Sequence, residues 1–209
     1  MQNRLSLVSL ALGSIVLWIV GLVCENALPG KIPSHPTDAQ LLTWVQSNTN
    51  DILVGSWLFM CGCILFVAFA VALRYRLPEG PLATSLFTAL VMGAVFGILT
   101  QGDFAAAINK DSVSAATAGA FHHLGDYGFA GVELSLVLAF AATALLAFKA
   151  AMFPRWGGAV CGLFAVLAVI GPVGWLAVIF GLPIWTIVTP LVVGRSARRA
   201  ATTPATAAA

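Results

Sequence analysis

Charge is what this sequence lacks most. Only 9% of its 209 residues are Asp, Glu, Lys or Arg, and its mean hydropathy is +0.97. A soluble domain carries about 25% charged residues, so this chain has too few to cover a globule that faces water. The scarcity excludes an ordinary soluble enzyme and predicts a protein whose solvent is the lipid bilayer.

The patterns that identify common functions are also missing. The ten Lys and Arg residues stand at the ends of apolar segments, with no basic patch among aromatic residues, so nucleic acid is not an expected partner. No nucleophile–base pair, glycine-rich phosphate loop or Cys-x-x-Cys motif is present. Cys24, Cys61, Cys63 and Cys161 fall at different predicted membrane depths. We therefore interpret them as small hydrophobic residues and not as a disulfide framework.

Long apolar runs predict six membrane-spanning helices. They lie at about 5–24, 52–73, 82–100, 127–148, 157–170 and 175–194. The uncharged run from Trp156 to Gly194 is divided at Gly171-Pro172-Val173-Gly174, because basic residues flank both of its ends and so require an even number of crossings. The first run is too long for a signal-peptide core and is interpreted as an uncleaved span. The expected fold is a single all-α bundle over residues 1–199, followed by a disordered tail at 200–209.

The distribution of basic residues predicts the orientation of the chain. If both termini are cytoplasmic, Lys31 and Lys110 are the two basic residues outside. The eight inside would be Arg4, Arg74, Arg76, Lys149, Arg155, Arg195, Arg198 and Arg199. This bias follows the positive-inside rule and predicts cytoplasmic termini. The Ala- and Arg-rich ends are typical of a high-GC bacterial genome, which places the protein in a bacterial inner membrane.

Two outer segments are long enough to hold structure of their own. Thr37 and Gln40 have capping-box spacing and predict a short helix on the outer membrane interface. Residues 101–126 are predicted to be partly helical, with Asp111 or Ser112 as a helix cap.

Glu133 is the one acid predicted to lie within a span. It would sit about 10 Å below the outer end of span four, where a carboxyl group must face other helices or a water-filled cavity. On a helix, His122, Asp126 and Glu133 share one face. This stripe predicts an outward-facing polar pocket with Glu133 at its deep end. The expected ligand-binding set is Glu133, Asp126, Ser56, Trp57, Thr100 and Gln101.

A structural interpretation of the same stripe stays open. Asp126 would then cap span four, and Glu133 would make one interhelical hydrogen bond. Gly125 and Gly128 weaken the stripe, since either can break a helix.

The outer histidines and acids form a second candidate site. His122, His123, Asp103 and His35 could supply the imidazole and carboxylate ligands of a transition metal. Adjacent histidines point apart on a helix, so His122 and His123 would have to lie in a turn to share an ion. The cofactor is otherwise unknown.

The layout of the chain resembles a known family. The resemblance rests on the long first outer loop with its proline-rich entry, on Arg74-x-Arg76 and on the FPRWGG run that opens span five. The family is one of bacterial six-pass integral membrane proteins defined only as a domain of unknown function. The resemblance implies an integral membrane protein and supplies no catalytic residues.

These observations favour a non-enzymatic membrane protein, either a ligand-binding or sensing module or an accessory subunit. One alternative is a metal-dependent membrane oxidoreductase, or its subunit, that uses the outer His and Asp residues. A second alternative is a small transporter. The expected partners are the lipid bilayer and either other membrane subunits or a second copy of the chain.

Overall fold

The computed structural model describes residues 2–29, 32 and 35–202, and every regular element in that part of the chain is helical. The elements are α1 (Gln2–Asn26), α2 (Asp38–Ser47), α3 (Thr49–Arg74), α4 (Pro81–Leu99), α5 (Gly102–Ile108), α6 (Ala115–Ala150), α7 (Arg155–Val169), α8 (Gly171–Leu176), a π-helical segment (Ala177–Gly181) and α9 (Leu182–Thr202). The predicted all-α fold is confirmed for the described residues.

Five helical stretches are long and apolar enough to cross a membrane. They are Leu7–Asn26, Thr49–Arg74, Pro81–Ile108, Ala115–Ala150 and Val173–Val193. The fifth predicted span corresponds to α7, which is apolar but has only 15 residues. At 1.5 Å per residue α7 is about 22 Å long, less than the roughly 30 Å of a bilayer's hydrocarbon core.

Helix α6 begins earlier than the sequence suggested. It has 36 residues, and its N-cap is Ser114, whose hydroxyl accepts the Thr117 amide hydrogen at 3.1 Å. The predicted caps at Asp111 and Ser112 are therefore wrong. Asp126 is not a cap either, because it lies in the interior of α6. The helix is about 54 Å long, so it extends well beyond one hydrocarbon core.

Gly125 and Gly128 do not break α6, because their missing side chains let the helix touch the end of α4. A methyl group on Gly125 would lie 2.8 Å from the Thr100 carbonyl oxygen, and one on Gly128 would lie 2.6 Å from the Thr100 nitrogen. The contact brings Thr100 and the following α5 against the outer half of α6.

Helices α1 and α3 cross with their backbones close together. A methyl group on Gly21 would lie 2.7 Å from the Gly55 carbonyl oxygen, and one on Gly55 would lie 2.7 Å from the Glu25 nitrogen. Two facing glycines allow helix backbones to approach this closely. The crossing places Glu25 directly beside Ser56 on α3.

Helix α2 confirms the predicted capping box. The backbone amide of Gln40 donates to Thr37 Oγ1 at 3.3 Å, and the side-chain oxygen Gln40 Oε1 accepts from the backbone amide of Thr37 at 2.8 Å. The apolar face of α2 packs inward on α5 and α6, with Leu41 and Val45 buried. It therefore covers the end of the bundle that the sequence predicts to face outward, and this end is named the outer end; the predicted position of α2 on the membrane interface stays a prediction.

The chain reverses at Ile170, one residue before the predicted turn at 171–174. Ile170 has φ −86° and ψ 91°, which ends α7, and the next residues already form α8. The π-helical segment connects α8 to α9. Helix α9 continues to Thr202, beyond the predicted start of the tail. Residues 203–209 and Lys31 lie outside the described part of the chain.

Candidate functional site

A cavity of about 620 Å³ lies between α1, α3, α4, α6, the π-helical segment and α9. Binding pockets for small organic molecules span about 300–1,000 Å³. Most of the lining is apolar, including Trp18, Phe66, Leu90, Leu136 and Leu182. The polar lining gathers at the outer end, and it comprises Glu25, Asn26, Thr100, Gln101, Asp103, His122 and Asp126.

Glu25 is the most deeply placed acid of this outer end. Its side chain lines the cavity, although only 8% of the residue is exposed. Ser56 donates to Glu25 Oε1 at 3.5 Å. With its amide nitrogen turned toward the carboxylate, Gln101 donates to Glu25 Oε2 at 3.0 Å and to Ser56 Oγ at 2.9 Å. Three residues from three segments thus form one hydrogen-bonded group.

Asp103 and His122 form the second polar group of the cavity. Asp103 stands in the first turn of α5, and its Oδ2 lies 3.0 Å from His122 Nδ1 on α6. Both side chains line the cavity. Asp103 and Glu25 both line this end of the cavity, so negative charges on the two carboxylates would repel each other.

The buried acid Glu25 has no basic partner in the part of the chain that the structure describes. There, basic and acidic side chains approach within 4.0 Å only at His122–Asp103 and at His123–Asp126. Among the same residues, no Lys or Arg lines the cavity. A carboxylate removed from water without a counter-charge is costly, so the outer end of the cavity is a site that favours a cation or a strong hydrogen-bond donor.

The structure places Glu133 away from this cavity, contrary to the predicted position at its deep end. The cavity follows Phe129, Val132 and Leu136 along α6, and Glu133 is one position beyond Val132. It faces α8, where a methyl group on Gly174 would lie 2.7 Å from Glu133 Oε1. His122, Asp126 and Glu133 therefore do share one face of α6. Beyond Asp126, however, the side chains that line the cavity are Phe129, Val132 and Leu136, and Glu133 lies beside them.

The other predicted ligand residues divide between the cavity and its surroundings. Thr100, Gln101 and Asp126 line it, and Ser56 contacts it through Glu25. Trp57 does not line it, because its exposed ring packs edge-on against Phe104 at 6.0 Å.

The four predicted metal ligands are not brought together. His122 pairs with Asp103, whereas His123 pairs with Asp126 at 3.4 Å. His35 lies on the exposed segment before α2. The described residues contain no group of three or more His, Cys, Asp or Glu side chains placed to hold a metal ion. The reason is helical geometry, since the adjacent histidines of α6 point to different neighbours.

Exposed aliphatic side chains of α1 and of the π-helical segment line one side of the cavity. Ile19 and Leu22 of α1 line the cavity and are 53% and 43% exposed, and Ile179 on the π-helical segment is 52% exposed. Helix α1 packs on α3 and α9, whereas the π-helical segment packs on α6, α7 and α9. Aliphatic side chains of both segments therefore form an exposed rim of the cavity. π-helical turns are frequent at functional sites.

The two adjacent histidines provide a matched test of the site's packing. We expect His122→Ala to lower the free energy of unfolding by about 1–3 kcal/mol, because Asp103 would lose its hydrogen-bond partner in a partly buried position. The side chains of the His122–Asp103 pair are 24% and 14% exposed, against 66% and 70% for His123–Asp126. His123→Ala should therefore change stability by no more than about 0.5 kcal/mol. Reversible unfolding in mixed micelles would measure both, and equal losses would contradict this difference.

Comparison with protein-family models, with curated proteins and with solved structures gives no match for the chain. The resemblance to a six-pass family therefore stays a prediction.

Proposed function

We propose that this protein is a non-enzymatic, multi-pass membrane protein that binds an amphiphilic ligand in its central cavity. The ligand's head group would lie at the outer end, among Glu25, Gln101, Asp103 and His122. Its apolar tail would extend inward past Trp18 and Leu136. One observation carries the proposal: a buried hydrogen-bonded polar group closes one end of an otherwise apolar cavity of about 620 Å³.

The exposed aliphatic rim of the cavity supports a ligand that comes from the bilayer. The exposed aliphatic side chains of Ile19, Leu22 and Ile179 would meet lipid tails in a membrane. A ligand with an alkyl chain could enter between α1 and the π-helical segment without leaving an apolar environment. Such a role suits a binding or sensing module, or a subunit that presents an amphiphile to a partner.

The proposal includes six crossings with both termini in the cytoplasm of a bacterial cell. Five stretches have the length and hydropathy of full spans, and α7 would complete an even number as a short sixth crossing. Lys110 lies after α5, at the end that holds the polar group. A reporter fused after Lys110 should therefore be extracytoplasmic, whereas one fused after Arg76 should be cytoplasmic. The reverse labelling would overturn the orientation.

Ligand binding can be tested by fluorescence quenching, because Trp18 lines the cavity. We expect 11-bromoundecanol to quench the protein in phosphatidylcholine nanodiscs with a saturable component. Trp18→Phe should remove that component, which separates it from quenching of tryptophans that face lipid.

A glycine pair gives the control for this experiment. Gly93 lines the cavity, and a methyl group there would meet only Ser135 Cβ at an ordinary 3.5 Å. Gly93→Leu should fill the cavity and abolish saturable quenching. Gly162 has no neighbour within 4 Å of such a methyl group, so Gly162→Leu should leave the quenching unchanged. If neither Trp18→Phe nor Gly93→Leu changes the saturable quenching, the proposed function is wrong.

A further inference from the structure

We infer that the amphiphile is a cation, with an alkylammonium head group held by the Glu25 carboxylate. This inference rests on the proposed function and names the chemical class of its ligand. It starts from charge: among the described residues, three acids line the cavity, namely Glu25, Asp103 and Asp126, together with a single histidine and no Lys or Arg. A neutral or anionic head group would leave Glu25 without compensation.

Glu25 is the acid that determines the chemical class of the ligand. Asp103 contacts His122, and Asp126 is largely exposed beside His123, so each has a partner that can carry positive charge. Among the described residues, the hydrogen-bond partners of Glu25 are the neutral Ser56 and Gln101. These two groups fix the carboxylate's position and leave its charge unbalanced at the end of an apolar cavity. Buried charges are stable when they are paired, and the missing partner here is a cation.

The geometry also favours an ammonium group over a larger cation. Glu25 and Asp103 both line the outer end of the cavity, and a cation there would reduce the repulsion of the two carboxylates. An ammonium group supplies three hydrogen-bond donors from one compact centre. The alkyl chain attached to it would continue into the apolar part of the cavity, which begins beside Leu22 and Trp18.

Three probes with one tail length separate this inference from the proposed function. They are 11-bromoundecylamine, 11-bromoundecanol and 11-bromoundecanoate, measured by saturable quenching of Trp18 in nanodiscs of neutral phosphatidylcholine. We expect the amine to bind at least about tenfold more tightly than the alcohol, a factor that one charge-assisted hydrogen bond can supply. The carboxylate should bind weakest, because it would meet Glu25 and Asp103 with like charge.

Glu25→Gln keeps the size and the hydrogen-bonding groups of the side chain and removes its charge. It should reduce amine affinity about tenfold, to that of the alcohol, and leave alcohol affinity unchanged. Asp103→Asn is a second variant should Glu25→Gln fold poorly, and it should weaken amine binding in the same direction. Equal affinity of amine and alcohol for the unaltered protein would overturn the inference while leaving amphiphile binding intact. Absence of saturable quenching by all three probes would instead reject the proposed function itself.

The source of the amine is tested at the aliphatic rim of the cavity. Leu22→Phe would narrow the rim beside Ile179 without adding a tryptophan to the quenching signal. It should slow binding of 11-bromoundecylamine at least about threefold and leave its final affinity within about twofold, because the association rate depends on access. An unchanged rate would show that the amine enters from water at the outer end, which overturns its assignment to the bilayer.

Discussion

Gly55→Ala should destabilise the protein by about 1–3 kcal/mol, although alanine is the better helix former by about 1 kcal/mol. The added methyl group would lie 2.7 Å from the Glu25 nitrogen and 2.8 Å from the Gly21 carbonyl oxygen. Both atoms belong to the backbone of α1, so no side chain can rotate away. Helices α1 and α3 must therefore separate, and the loss spreads along the longest packed interface of the bundle.

Gly162→Ala is the matched control for Gly55→Ala, because nothing lies within 4 Å of a methyl group at Gly162. It should leave stability unchanged or raise it by up to about 1 kcal/mol. Reversible unfolding in micelles of rising SDS content measures both variants. Equal behaviour of the two would show that the α1–α3 crossing is wider than the structure has it.

Gly55→Ala should also disturb the polar group of the cavity. The crossing at Gly55 is what brings Glu25 next to Ser56, so moving α1 outward lengthens the Ser56–Glu25 contact, which is already 3.5 Å. We expect saturable quenching by 11-bromoundecylamine to weaken together with stability. If Gly55→Ala destabilises the protein but binds the amine as tightly as before, the α1–α3 crossing does not position the binding site.

The sequence predicted the helical fold because long apolar runs leave few alternatives in a bilayer. The sequence was less informative about where a helix begins when it extends beyond its apolar run. Ser114 caps α6 twelve residues before Asp126, which had been expected near the start of that helix. Gly125 and Gly128 suggested a break because their helix propensity is poor. Tertiary contact with Thr100 reverses this preference, and no local pattern reveals such a contact.

The sequence identified some residues of the site but not its buried acid. Ser56, Thr100 and Gln101 were expected in a polar pocket; Thr100 and Gln101 line one, and Ser56 donates to Glu25 beside it. The acid that they surround is Glu25, whereas the sequence pointed to Glu133. Glu133 attracted the prediction because it is flanked by apolar residues, but depth in a membrane does not tell which neighbour a side chain faces.

A signal for Glu25 was nevertheless present. Apart from Ile15, the buried residues of α1 recur with a spacing of four and three, at Leu7, Ala11, Ser14, Trp18, Gly21 and Glu25. This is the heptad spacing of a helix that packs along one partner. Glu25 continues that stripe, so its position at the end of an apolar run did not make it a surface residue.

Glu25→Gln should raise the free energy of unfolding of the ligand-free protein by about 1–2 kcal/mol. Replacing an unpaired buried carboxylate by an isosteric amide removes an uncompensated charge and keeps groups that can bond to Ser56 and Gln101. Stabilising substitutions of this size at binding sites commonly lower function. Glu79→Gln is the control, since Glu79 is exposed between α3 and α4, and it should change stability by no more than about 0.5 kcal/mol.

The sign of the Glu25→Gln effect separates two roles for this acid. If Glu25 serves only to join α1 to α3 and α5, its replacement weakens the hydrogen bonds from Ser56 and Gln101, and the protein loses about 1–2 kcal/mol. If Glu25 is the binding group for a cationic head group, Glu25→Gln stabilises the ligand-free protein, and the alkylamine no longer stabilises the variant. The same unfolding titration, run with and without 11-bromoundecylamine, reads both quantities. A stabilised protein that still responds fully to the amine would move the head-group site from Glu25 to Asp103 and His122.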